Sequence, residues 1–147
     1  ALYLRPTSML TLHASYLGGE LHAMEAGKGV EAGAPYIRHR VSGAVQLTTK
    51  PVSLTGEYMY GKDAEVSGQG AYLTAVAHMT KRYDFVASVD YLKTGMGPGS
   101  LLTSTLGVQH WFGKLSRWQL EYRLVAPQGE GHGPMDHHIR MQFQFGF

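Results

Sequence analysis

An all-β fold, an antiparallel up-and-down transmembrane β-barrel, is the class this sequence predicts. Three observations point to it. Apolar and polar residues alternate with a period of two along most of the chain, as in strands whose two faces meet different surroundings. The links between the alternating stretches are short and long by turns, the layout of a meander with tight turns at one end and loops at the other. The polar positions hold charged and amide side chains at mid-strand, among them Arg40, Glu57, Asp90, Glu121, Arg140 and Gln142.

Composition sets the frame. At 147 residues and net charge +2, the chain fits a single domain, and its field is too weak to call for nucleic acid. Cysteine is absent, which excludes disulfides, CxxC redox sites, zinc ribbons and thiol nucleophiles. Charged residues make up 16%, against about 25% in ordinary soluble domains. Glycine reaches 19 residues of 147, where roughly 7% is usual. Mean hydropathy is −0.18. The longest apolar run is Ala1–Leu4, so no helix of about 20 apolar residues crosses a membrane. The opening ALYLRPTS lacks the pattern of a secretion leader, so the expectation is a mature chain or a fragment.

Eight strands are expected. MLTLHASYL puts Leu10, Leu12, Ala14 and Tyr16 on one face and Thr11, His13 and Ser15 on the other. YIRHRVSGAVQLTT sets Ile37, His39, Val41, Gly43, Val45 and Leu47 against Arg38, Arg40, Ser42 and Gln46. VSLTGEYMYG sets Val52, Leu54, Gly56, Tyr58 and Tyr60 against Thr55, Glu57 and Met59. QGAYLTAVAHMTK opposes Ala71, Leu73, Ala75, Ala77 and Met79 to Tyr72, Thr74 and His78. DFVASVDYLK opposes Phe85, Ala87, Val89 and Tyr91 to Ser88 and Asp90. In LTSTLGVQHWFG the apolar face is Leu102, Leu106, Val108, His110 and Phe112. WQLEYRLVA gives Trp118, Leu120, Tyr122, Leu124 and Ala126 against Gln119, Glu121 and Arg123. HHIRMQFQFGF closes the series, with Ile139, Met141, Phe143, Phe145 and Phe147 opposite His138, Arg140, Gln142 and Gln144.

The links TTKP, TKRYD and GKLSR read as tight turns. Gly18–Pro35, Gly61–Gly68, Gly95–Ser100 and Pro127–Pro134 read as longer or Gly-rich loops. With the final strand ending in the periplasm, the turns near Lys50, Arg82 and Ser116 are expected there too. An even strand count puts Ala1 on the same side.

The apolar face is expected to meet lipid. Aromatic residues fall near strand ends (Tyr16, Tyr36, Tyr58, Tyr60, Tyr83, Tyr91, Trp118 and Phe147), where amphipathic rings form girdles at the membrane–water interface. The stretches approach the 9–11 residues that a tilted membrane strand needs. The expected lipid face comprises Leu12, Val45, Leu54, Leu73, Val89, Val108, Leu120, Tyr122, Met141, Phe143 and Phe145.

A last strand ending in Phe, with aromatic residues alternating before it, looks like the recognition signal of outer-membrane barrels. LGVQHWFGKLSRWQLEY, followed by a Gly-rich loop and HHIRMQFQFGF, resembles the C-terminal end of the phosphate-selective porin O and P family, in its Bacteroidetes-like branch. PVSLTGEYMYG and GAYLTAVAHMT look like that family's paired strands with a Gly-Glu-Tyr core. The resemblance covers about Val41 to Phe147, and His110 departs from the expected Tyr. It implies a barrel with about twice as many strands. Residues 1–147 are then either a single closed eight-stranded barrel domain or the C-terminal half of a larger porin.

Lumen-facing Arg38, Arg40, Arg123 and Arg140, with His78, are the candidate anion pathway, since arginine on a pore wall attracts phosphate-like ions. Glu57 and Glu121 are the acids expected to offset them. In a closed small barrel the same residues would form a filled interior. His132, Asp136, His137 and His138 are ligand types for zinc or nickel, but adjacent His137 and His138 point to opposite faces, so no metal is expected. His22 with Glu20 and Glu25, and Asp84 beside Lys81 and Arg82, read as solvated loop charges. Ser8, Ser15, His13 and Asp63 lack the spacing of a nucleophilic set, and no enzyme signature occurs. The expectation is therefore a non-enzymatic outer-membrane porin for passive diffusion of small anions. A non-conducting structural or accessory barrel is the alternative. The expected partners are the lipid bilayer with its lipopolysaccharide, small anions, and other outer-membrane subunits or further copies; no cofactor and no nucleic acid are expected.

Overall fold

The computed structural model describes residues 1–24, 26, 30–95, 99–113, 115–129 and 133–146. Glu25, His132 and Phe147 lie outside them. Nine antiparallel strands form one sheet in chain order. They are β1 Leu2–Leu4, β2 Leu10–His22, β3 Pro35–Thr48, β4 Val52–Asp63, β5 Val66–His78, β6 Tyr83–Thr94, β7 Ser100–Trp111, β8 Arg117–Gln128 and β9 Asp136–Gln144. Every neighbour in the sheet is a neighbour in sequence, so the wall is a pure meander. Among the described residues β1 and β9 each have one strand neighbour.

The register carries the period-two pattern across the whole sheet. Leu54, Ala75, Ala87, Leu106, Tyr122 and Ile139 form one row on the apolar face. One position along, Thr55, Thr74, Ser88, Thr105, Arg123 and His138 form a row on the polar face. A slip of one residue in any strand would exchange the two faces.

Burial is inverted relative to a soluble protein. Asp63, Asp84, Thr105, Gln109 and Glu121 are buried, whereas Leu73, Leu106, Met141 and Phe143 are each more than half exposed. The sheet curls around its polar side, here called the inner face, and turns a continuous apolar surface outward. Such a surface on a soluble monomer would be an aggregation hazard; facing lipid, it is the stabilising side. All eleven residues expected on the lipid face lie on this outer face or continue its alternation, as Phe145 does past the end of β9.

The outer face carries clustered rings. At the short-turn end, Tyr83, Phe112 and Trp118 surround His110, with centroids 4.5, 4.8 and 6.1 Å away. Toward the opposite end Tyr16 stacks on His39, and the ring of Tyr122 lies tilted against His137. Tyr36 departs from the expected girdle. It sits on the inner face, where it accepts a hydrogen bond from Arg38.

The turns are built from local hydrogen bonds. Thr80 Oγ1 accepts from the backbone N–H groups of Arg82 and Tyr83, at 3.2 and 3.0 Å. Thr7 Oγ1 does the same for Met9 and Leu10 before β2.

The structure corrects three expectations. Among the described residues there are nine strands rather than eight. The additional β1 is three residues long, too short to display an alternation, and it pairs Leu2 with Ala14. That pairing sets Ala1 part-way up the wall rather than at the short-turn end. The Gly61–Gly68 stretch is not a loop: the β4–β5 ladder runs through its glycines to a two-residue turn, Ala64–Glu65, with Ala64 at φ 53°. β2 likewise extends through Gly18 and Gly19 to His22. Glycine in these strands signals close approach or open space rather than a break.

Candidate functional site

The inner wall holds two polar clusters. The first lies toward the loop end on β3 and β4. Arg38 sits opposite Asp63 in the register, and Arg40 lies two residues along, so both side chains share a face. Arg38 grips the carboxylate with two prongs, Nε to Oδ1 and Nη2 to Oδ2, both at 3.0 Å. Arg40 Nη2 donates to Oδ2 at 3.1 Å. The Asp63 side chain is 8% exposed, whereas that of Arg40 is 54% exposed. The carboxylate thus lies at the base of the wall, and a guanidinium projects from it.

The second cluster spans β4 to β9 toward the short-turn end. Asp84 accepts from Trp111 Nε1 at 2.8 Å and bonds His78 Nδ1 at 2.9 Å, and His78 Nε2 lies 3.2 Å from Ser53 Oγ. Next to it runs an amide relay. Arg117 donates to Gln109 Oε1 and Gln144 Oε1, Gln109 donates to Gln119, and Gln119 donates to Glu121. Arg140 completes the relay on Glu121 Oε2, Nε at 2.9 Å and Nη2 at 2.7 Å. Gly107 faces Glu121 across the ladder, and a Cβ there would lie 3.0 Å from Leu120 O and 3.2 Å from Glu121 Cγ. Glycine at this position is the space in which the buried carboxylate folds down.

All five candidate residues, Arg38, Arg40, Arg123, Arg140 and His78, lie on the inner face. They form no single centre. Arg38 and Arg40 share one anion, Arg140 has another, and His78 belongs to the Asp84 group. Arg123 is exposed, opposite Thr105 and His138, and has no ion-pair partner among the described residues.

Several participants escaped the sequence. Asp84 is not a solvated loop charge: it is the second residue of β6 and is buried. Asp63, first considered only for a nucleophilic set, is the shared anion of the arginines. Arg117, assigned to a turn, opens β8. Asp84 already heads DFVASVDYLK and Arg117 immediately precedes WQLEYRLVA, so continuing the alternation through them puts both on the inner face. Glu57 pairs with neither arginine and sits opposite Ala44 and Tyr72. His137 meets Tyr122 on the outer face, while His138 lies inward.

No known protein-family profile matches the chain, and no curated protein sequence matches it. Among solved structures it is similar to a loop L8 deletion mutant of OmpT, an outer membrane protein of Vibrio cholerae, with a TM-score of 0.68 at 12% identity. The likeness covers 95% of this chain and 50% of that one. The chain therefore spans about half the length of its structural neighbour. The fold is that of an outer-membrane β-barrel. The expectation that the chain is not an enzyme does not stand, because the likeness fixes the fold alone and this fold does not exclude catalysis. That expectation rested on missing enzyme signatures and on the spacing of Ser8, Ser15, His13 and Asp63. A barrel wall carries its chemistry on side chains set into strands and loops, so one fold serves catalytic and non-catalytic proteins alike.

Proposed function

We propose that this wall lines a porin-like channel in the bacterial outer membrane, through which small anions diffuse passively. The observation that carries the reading is the depth at which charge is held. Inner-face acids equal or outnumber the arginines, so a count of charges gives no selectivity. Asp63, Asp84 and Glu121 nevertheless lie at the base of the wall and Glu57 and Asp90 are half-buried, while Arg40, Arg123 and Arg140 stand out from it; Asp136, at the loop end of β9, is exposed. A solute passing along the wall meets guanidinium first, and guanidinium pairs with phosphate-type oxygens through two N–H groups. Phosphate-like solutes are named because the C-terminal motifs resemble the phosphate-selective porin O and P family. In this reading the short turns face the periplasm, the loops face outward, and the aromatic rings meet the lipid and lipopolysaccharide headgroups. Strands from the rest of the protein or from another subunit complete the ring.

Arg123 is the clean probe, because replacing it leaves no buried acid behind. Single channels of the full-length protein in a KCl gradient should reverse on the anion side. Arg123→Gln should move the reversal potential toward cations, more at low salt than at high salt, where screening shortens the reach of the charge. Cation preference in the unaltered protein would end the anion reading. Absence of conductance would favour a structural or accessory barrel.

A further inference from the structure

Between the Arg38–Arg40–Asp63 cluster and β6, the inner wall sinks into a hollow of about 580 Å³. Its floor is made of glycine. Gly61 faces Gly68 across the β4–β5 ladder, and Gly70 follows opposite Met59. Leu92 lies opposite Gly70 on β6, and Arg40 lies opposite Gly61 on β3. The result is a trough with methionine and leucine along its sides and a guanidinium at one edge.

Backbone conformation does not demand these glycines, since none of the three has a positive φ. At Gly70 a Cβ would meet nothing closer than 3.5 Å and at Gly61 nothing closer than 3.6 Å, whereas at Gly68 it would come within 3.3 Å of Lys93 O, so packing accounts for that glycine but not for the other two. Glycine in a strand weakens it without such a need. What the three residues do provide is a smooth floor low enough for another molecule to lie on.

We infer that this trough is a binding subsite for a small amphipathic carboxylate, an organic anion with an apolar tail. The inference rests on the reading that this wall faces a solute pathway. The tail lies on the glycine floor between Met59 and Leu92, and the carboxylate meets Arg40. Arg38 engages both oxygens of Asp63, whereas Arg40 touches one of them with a single nitrogen. Of the five N–H donors of its guanidinium, most stay available on an exposed side chain. Charge complementarity thus fixes the head, and the apolar walls select the tail.

The test is binding of methyl-labelled octanoate and butyrate to the full-length protein in lipid nanodiscs. It is followed by NMR line broadening, with protein-free discs subtracted. Octanoate should bind about tenfold tighter than butyrate, as expected for four added methylenes half withdrawn from water. Gly70→Leu should abolish that chain-length gain, and Gly70→Ala should reduce it if the larger side chain prevents folding. Arg40→Gln should weaken octanoate about tenfold and leave octanol unchanged. Equal binding of the two acids would overturn the inference. So would a Gly70→Leu protein that folds and binds like the unaltered one, or octanoate binding indifferent to Arg40→Gln. Failure of the pore reading is separately visible: a protein that binds octanoate with these dependences but conducts nothing keeps the subsite and loses the channel. One that conducts anions without chain-length selection loses the subsite alone.

Discussion

Leu73 and Thr74 are consecutive residues near the middle of β5, and they test which side of this wall meets lipid. Leu73 points outward between Gly56 and Val89 and is 55% exposed. Thr74 points inward between Thr55 and Ser88. Arginine at Leu73 places a guanidinium on the outer face near mid-strand, where the long side chain must bend far to reach a headgroup. The expected cost is about 2–4 kcal/mol, which lowers the folded-to-unfolded ratio roughly thirtyfold to several hundredfold. Arginine at Thr74 enters a row of hydroxyls beside water, and its expected cost stays within about 0.5 kcal/mol. Strand propensity and distance from the turns are nearly the same for the two sites, so the difference isolates the face. Reversible urea titration of the full-length protein in phosphatidylcholine vesicles reads both values. Equal costs would refute the division into lipid and water faces, and a larger cost at Thr74 would mean that the wall is turned the other way.

Two further outcomes follow from the same geometry. The two tryptophans sit on opposite faces, Trp118 in the outer aromatic cluster and Trp111 against Asp84 and Arg117 within. Brominated lipid should quench a variant retaining Trp118 and spare one retaining Trp111, with the difference read from steady-state emission. Asp84→Asn should cost about 1–3 kcal/mol in the urea titration, because one amide oxygen cannot replace the carboxylate that serves both Trp111 and His78. A change below about 0.5 kcal/mol would return Asp84 to the class of solvated charges.

The wall itself was legible because a barrel strand is specified by a single local variable, which side chains alternate. Leu120, Tyr122, Met141 and Phe143 could be assigned to a face without knowing their neighbours. Strand ends were less legible, since alternation fades where glycine and charge enter. Gly61, Gly68, Gly18 and Gly19 have the composition of loops, yet they lie in the ladder. That misreading hid Asp63, and with it the pairing of Arg38 and Arg40. A face can be read from one strand, but an ion pair needs the register between two. The two-residue turn at Ala64–Glu65 sets that register, and the sequence carries no Asn-Gly or Asp-Gly mark to announce it. β1 was missed for a different reason: three residues pair with β2 because a neighbouring ladder receives them, not because of any pattern of their own.

The edges of the sheet connect the fold to the function. β1 and β9 present backbone N–H and C=O groups that their single strand neighbours leave unmet among the described residues. In water such groups are solvated at little cost, but in hydrocarbon each costs several kcal/mol. The outer face is built for hydrocarbon, so the same wall that gains from lipid on its surface is penalised by lipid at its two edges. The conflict ends when the ring closes, whether β1 meets β9 or further strands stand between them. If further strands stand between them, the ring is wider than nine strands alone could enclose, and a wider ring leaves its centre to water. Arg40, Arg123 and Arg140 then project into solvent rather than into one another. That is the condition the proposed anion channel requires, guanidinium groups above buried carboxylates with water in front of them rather than a filled core.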